Sequence, residues 1–171
     1  MDESGKIELI ALEQGEHESV QDWSALLGRL QQRGLKKAPE LVVANRASGF
    51  FEALESVQPE TAQQLCWQHE ITRILSNLPT QQHRSVQAEL REVWSAPDWE
   101  KAEQIFYQFL YDYWLQSPRI AENLEKYREA LLQFHHFPRA HQQKLRSVEF
   151  LSTVFAEVQA PQAQGGHEVS E

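Results

Sequence analysis

At 171 residues the chain is long enough for one domain that buries roughly two thirds of its unfolded surface, and it needs no covalent staples. Its single cysteine, Cys66, excludes an intramolecular disulfide framework and suits a reducing compartment. Acidic residues outnumber basic ones 25 to 16, a net charge of -9, which excludes binding to DNA through overall phosphate neutralisation and leaves only local contacts.

Lys6 to Leu12 alternates imperfectly after a Glu-Ser-Gly turn signal and reads as a strand. Its partner would lie upstream, so the chain is expected to begin in the middle of a sheet. Ser19 and Asp22 form a capping-box-like start, and Val20, Trp23, Leu26, Leu27 and Leu30 repeat at helical spacing until Gly34. The apolar run from Leu41 to Ala44 is a second strand, ending at Asn45. A helix carrying Phe50, Phe51, Ala53, Leu54 and Val57 follows the small residues Ala47, Ser48 and Gly49, and Pro59 closes it. A third short strand is expected around Gln64 to Trp67.

From His69 onward every segment reads as helix. Ile71, Ile74, Leu75 and Leu78 lead to Pro79, and Val86, Leu90, Val93 and Trp94 lead to Pro97. Ser95 with Asp98 should cap the most apolar helix, carrying Ala102, Ile105, Phe106, Phe109, Leu110, Tyr113 and Trp114. Ile120, Leu124, Tyr127, Leu131 and Phe134 form one narrow stripe, on a helix that Pro138 breaks. A last helix is expected from about Ser147, over Phe150, Leu151, Val154, Phe155 and Val158. The tail over 159–171 has paired glycines and no periodicity, the mark of disorder. No apolar stretch reaches the roughly 18 residues of a membrane span, and no signal-peptide pattern opens the chain. A cytoplasmic location follows.

In a mixed sheet, ligands gather beyond the carboxyl ends of the strands, which makes the position of Asn45 the first candidate site. It places a neutral amide where a charge would be needed for metal chemistry. Cys66 and His69 have a Cys-x-x-His spacing, but two ligands make no zinc site, and His83, His135, His136 and His141 lack the spacing to complete one. His135, His136 and His141, near Arg139 and Lys144, read as exposed loop histidines. The basic residues gather at Arg29, Arg33, Lys36, Lys37 and at Arg128, Arg139, Lys144, Arg146, which read first as solvated helix faces. No Ser-His-Asp order, glycine-rich phosphate loop or paired-carboxylate motif is present.

Five stretches together resemble the Mutator family of bacterial insertion-sequence transposases, over nearly the whole chain to about Val158. Asp22-Trp23-Ser24-Ala25-Leu26-Leu27 with Leu30 and Arg33-Gly34-Leu35 is similar to the family's first helix and its exit. Leu41 to Leu54 is similar to its second-aspartate strand and the glycine-bearing helix after it. Gln64-Leu65-Cys66-Trp67-Gln68-His69 resembles its glutamine, cysteine and histidine signature. Phe134 through Phe137-Pro138-Arg139, and Lys144-Leu145-Arg146-Ser147, resemble the approach to the helix of the last catalytic glutamate.

The resemblance implies an α/β but predominantly helical fold: a partial ribonuclease-H-like core, with strands near 6–12, 40–45 and 63–67, a helical insertion and a closing helix. The expected units are 1–67, 68–146, 147–158 and a tail at 159–171. It also implies DNA as partner and strand transfer by two magnesium ions held on two aspartates and a glutamate, since hard divalent cations prefer anionic oxygen.

Here the first aspartate's strand is absent, the second aspartate falls on Asn45, and the glutamate falls on Ser152, with Glu149 replacing the asparagine three residues before it. One unit charge lost about 4 Å from a divalent ion removes roughly 8 kcal/mol of attraction at an effective dielectric near 20. Glu149 lies one helical turn from the required place, too far to substitute. The expectation is a truncated, degenerate transposase catalytic domain, a pseudoenzyme without bound metal or cofactor. Two alternatives stand beside it. One is an interaction module in which the helix over Asp98 to Trp114 and the stripe over Ile120 to Phe134 pair with another copy or an intact transposase. The other is weak DNA binding through Arg139, Lys144 and Arg146 without catalysis.

Overall fold

The structure is a computed structural model and describes residues 1–13, 19–46, 49–149 and 151. Helix α1 (Val20–Gln32) starts where Ser19 accepts the Asp22 N–H at 3.2 Å on its hydroxyl. It ends in a Schellman turn. Gly34, at φ +120°, lets the Leu35 N–H return to the Leu30 carbonyl at 2.9 Å and its own N–H to Gln31.

Strand β1 (Leu41–Ala44), helix α2 (Phe50–Val57) and strand β2 (Ala62–Leu65) follow as one crossover unit. The strands pair in parallel, Leu41 opposite Ala62 through Ala44 opposite Leu65, and are the sheet's two members among the described residues. Gly49 enters α2 at φ +68°, a conformation that a Cβ would make strained. The same Cβ would stand 2.9 Å from Cγ2 of Val20, so glycine also allows α1 and α2 to approach.

The remaining described elements are helical: α3 (Trp67–Leu75), α4 (His83–Ser95), α5 (Trp99–Trp114), α6 (Pro118–Lys126), α7 (Arg128–Leu132), a 3-10 turn (Gln133–His136) and α8 (Arg139–Leu145). Asp98 alone caps α5, accepting the Lys101 N–H at 2.8 Å, while Ser95 is the last residue of α4. The outcome is a predominantly helical protein with a small parallel sheet.

Two apolar clusters hold it. The smaller, Leu27, Ala53 and Leu54 with Val20, Trp23, Val42 and Phe50 around them, joins α1 and α2 to β1. The larger runs from Leu65 and Trp67 through Val86, Leu90, Phe106, Phe109, Ile120 and Leu124 to Leu131 and Phe134. Phe51 packs against both. The stripe from Ile120 to Phe134 and the apolar face of α5 are therefore core of this chain, turned inward instead of toward a partner.

Several expectations are corrected. Residues 6–12 form no strand, because no neighbouring strand supplies a ladder. The preceding residues make a turn instead, in which the Asp2 carboxylate accepts the Ser4 and Lys6 N–H groups at 3.0 and 2.9 Å. Ile7, Leu9, Ile10 and Leu12 are left exposed. The helix expected to carry the whole stripe is broken at Tyr127 (φ -107°, ψ 12°) and tightens into the 3-10 turn after Leu132. Helix α8 resumes after the break at Pro138, inside the stretch expected to be helical. The closing helix over 147–158 falls mostly, and the tail over 159–171 wholly, outside the described residues.

The link between the sheet and the helical block is a buried side chain. Gln64, fully buried on β2, donates its amide to the carbonyls of Leu65 (2.7 Å) and Leu131 (3.0 Å), and its Oε1 accepts the Phe134 N–H at 2.8 Å. The Trp67 indole N–H reaches the same Leu131 carbonyl at 2.8 Å. Gln64→Leu keeps the volume but orphans the Phe134 N–H in a dry interior. It is expected to lower the unfolding free energy in urea by about 2–4 kcal/mol, since each buried group left unpaired costs about 1–3 kcal/mol.

Candidate functional site

β1 ends because Asn45 leaves the ladder: the Ala44 carbonyl takes the Cys66 N–H at 2.9 Å, and beyond that point the strands part. Asn45 therefore stands, half-buried, at the carboxyl end of a parallel strand, where the sequence placed it. Cys66 is the hinge of this corner. Its buried thiol accepts the Val148 N–H at 3.5 Å and lies 3.7 Å from the Ser147 hydroxyl, while the Trp67 N–H holds the Arg146 carbonyl at 2.9 Å. Two adjacent residues of the β2–α3 junction thus bind the segment 146–148 that leads to Glu149. Residues distant in sequence, Asn45, Cys66 and Ser147 to Glu149, gather at one end of the sheet. Ser152 lies outside the described residues.

Cys66 and His69 do not converge on a ligand, since the thiol is buried and the imidazole exposed. Among the described residues no group of three or more His, Cys, Asp or Glu side chains could hold a metal ion. One carboxylate does lie close to the strand end in sequence and space, that of Glu70, but both its oxygens are taken. Arg46 reaches Oε1 at 3.2 Å, and Arg73 reaches Oε2 through two nitrogens at 3.0 and 2.6 Å.

Arg46 also donates to Asn123 Oδ1 at 2.6 Å, and its guanidinium lies 4.5 Å from the Tyr127 ring centre. Glu70 is buried, so its charge is tolerable only because two guanidiniums face it. The donor set does not fit a divalent-cation pair: one neutral amide and one carboxylate already neutralised by cations. Arg46 was invisible as a site residue in the sequence. The Glu70 and Arg73 spacing of three was the signal available.

The histidines of the second half separate. His136 stacks on Trp99 with centroids 4.4 Å apart and is exposed, and His141 is half-buried near Gly5. His135, expected to be exposed, is buried against Phe134 (4.1 Å between centroids), because the 3-10 turn rotates it inward, and neither ring nitrogen has a hydrogen-bond partner. Burial holds its pKa below the ordinary imidazole value. His136 and Arg139 act in the same direction, while the Val93 carbonyl and Asp98 oppose it without completing a bond.

The basic residues considered for DNA lie on α8 and at its C-cap. Arg139 is exposed, Lys144 donates to the Gly5 carbonyl at 3.1 Å, and Arg146 is half-buried with its guanidinium 5.8 Å from the Trp94 ring centre. Burial, and Arg91 beside it, lower the pKa of Arg146. Of the others, Arg128 pairs with Glu103, Arg29 with Glu13, and Lys37 approaches Glu40 at 3.9 Å.

A family model described as transposase, Mutator family, matches residues 1–167. The chain is 38% identical over 154 residues to the transposase for insertion sequence element IST2 of Acidithiobacillus ferrooxidans, covering 90% of this chain and 52% of that protein. It is 32% identical over 154 residues to the transposase for IS6120 of Mycolicibacterium smegmatis, covering 90% and 47%. It is 30% identical over 158 residues to the transposase for ISRM5 of Rhizobium meliloti, covering 92% and 39%. The chain thus spans about half or less of the length of these relatives. No helix among the described residues is long and apolar enough to cross a membrane.

His135 gives a pH prediction. Its imidazole takes up a proton more readily unfolded than folded, so its contribution to stability is fully present above an unfolded pKa of about 6.5 and is lost as pH falls below it toward the depressed folded value. Thermal unfolding measured from pH 7.5 down to pH 5 should show a falling midpoint, and His135→Leu should flatten that slope while leaving stability at pH 7.5 equal or higher.

Proposed function

This chain belongs to the Mutator family of transposases, and we propose on that premise that it is a member unable to transfer DNA strands. The observation that carries the reading is Asn45 at the end of β1, with the neighbouring Glu70 carboxylate locked between Arg46 and Arg73. A two-metal mechanism needs anionic oxygens to hold its cations and clamp the attacking and leaving oxygens. The Glu70 carboxylate is already the counter-ion of two guanidiniums, which leaves it little attraction for a divalent cation. Ser152 in place of a carboxylate supports the same reading from the sequence.

In this proposal β1, α2 and β2 are part of a ribonuclease-H-like core, and the helices from α3 to α8 are the insertion that packs against it. Cys66 and Trp67 then keep the family's corner intact, holding the segment 146–148 in place, after the chemistry has gone. The protein's transposase-related role would be exerted through binding.

A second reading, self-association, is favoured by the outer face of α5. Tyr107, Tyr111, Trp114 and Leu115 recur at helical spacing on the side away from the core, with Tyr111 79% and Leu115 92% exposed. Two copies of such a helix bury matching apolar rows against each other. Light scattering over a concentration series would detect a dimer that Tyr111→Lys dissolves, and a monomer at all concentrations would remove this reading.

The main proposal is tested on purified protein with DNA carrying terminal inverted repeats. In Mg²⁺ or Mn²⁺ neither nicked nor joined product is expected, and Asn45→Asp alone should not restore activity. Metal-dependent strand transfer that Glu149→Ala abolishes would refute it.

A further inference from the structure

A pocket of about 520 Å³ lies between the last turn of α3 and the start of α6, next to the Arg46–Glu70–Arg73 network. Arg73 and Asn77 approach it from α3, and Ser117, Arg119 and Asn123 from the other side. No acidic residue lines it, in a chain whose net charge is -9. Arg119 makes no ion pair among the described residues and is exposed at the mouth. Arg73, which lines the pocket, shares the single carboxylate of Glu70 with Arg46, so these two guanidiniums face one acidic group. The Asn123 Oδ1 is engaged by Arg46, which turns the amide toward donating with its nitrogen.

The helix adds to this. Ser117, the N-cap of α6, makes no side-chain cap bond, and Pro118 occupies the first turn. The Ser117 carbonyl takes the Ile120 and Ala121 N–H groups at 3.0 and 3.2 Å, while its hydroxyl caps no helix N–H. Two guanidiniums and amide donors line one concavity, the donor types that a tetrahedral oxyanion accepts from.

We propose that this pocket binds a phosphoryl group, with Arg119 as its movable arm and Arg73 as its fixed one, held by Glu70. The site shares Arg73 and Asn123 with the network beside the strand end, but phosphoryl binding there does not require the loss of strand transfer. The phosphoryl group can come from a nucleic-acid backbone or from a free phosphate compound.

Isothermal titration with pyrophosphate at constant ionic strength tests it. Saturable binding is expected that Arg119→Gln weakens about tenfold, the loss of one charge-assisted hydrogen bond, while Arg84→Gln, an exposed arginine on α4 outside the pocket, leaves it unchanged. A short single-stranded oligonucleotide in competition separates the sources. Displacement of pyrophosphate with the same Arg119 dependence identifies a backbone phosphate, and failure to displace identifies a free phosphate compound. No saturable pyrophosphate binding, or an equal loss in both variants with folding unchanged by circular dichroism, overturns the proposal.

Discussion

The side-chain amide of Gln64 is the one buried polar group that ties the sheet strand β2 to the helical block by three hydrogen bonds at once. A two-stranded parallel sheet has little independent stability, because so short a ladder cannot offset the entropy of ordering it. Here the strand carries its own attachment. Gln64 satisfies one backbone donor and two backbone acceptors in a dry interior, and Trp67 completes the Leu131 carbonyl from the same side. An amide that makes every bond rigidifies its surroundings, and one that makes only some is worse than an apolar residue. The 3-10 tightening of residues 133–136 follows from this demand, since the Leu131 carbonyl and the Phe134 N–H face β2 and not their own helix.

The legible parts of the fold were those decided within a few residues. Ser19 and Asp98 announce helix starts, Gly34 a helix end, and the run Leu41 to Ala44 a buried strand; each needs only its local backbone to act. The strand expected over 6–12 failed for the opposite reason. Its alternation is real, but a strand exists only if another backbone meets it, and the sequence does not say which one does. The break at Tyr127 was equally unreadable, because the stripe of Ile120, Leu124, Leu131 and Phe134 remains apolar straight through it. His135 was misplaced because exposure depends on which way a 3-10 turn points a side chain.

The candidate site shows the same division. Asn45 could be read as neutral at a strand end from residue identity alone, whereas the meeting of Cys66 with Ser147 and Val148, far apart in the chain, is carried by no local pattern. The pairing of Arg46 with Glu70, Asn123 and Tyr127 crosses three elements, and no periodicity reports it. That network alters the meaning of the strand end. The corner is not merely missing a carboxylate; the Glu70 carboxylate beside it serves as counter-ion to two arginines, one of them the residue after Asn45.

The crossover from β1 through α2 to β2 also sets how the chain closes on itself. Pairing Leu41 with Ala62 encloses a loop of about twenty residues, whereas joining Gln64 to Phe134 encloses one of 70. With closure entropy growing as the logarithm of loop length, the larger ring costs only about 1 kcal/mol more. A long helical segment can therefore be interposed between the signature glutamine and its partners at small entropic cost, and tolerance of that segment's length becomes a property of polymer statistics more than of packing.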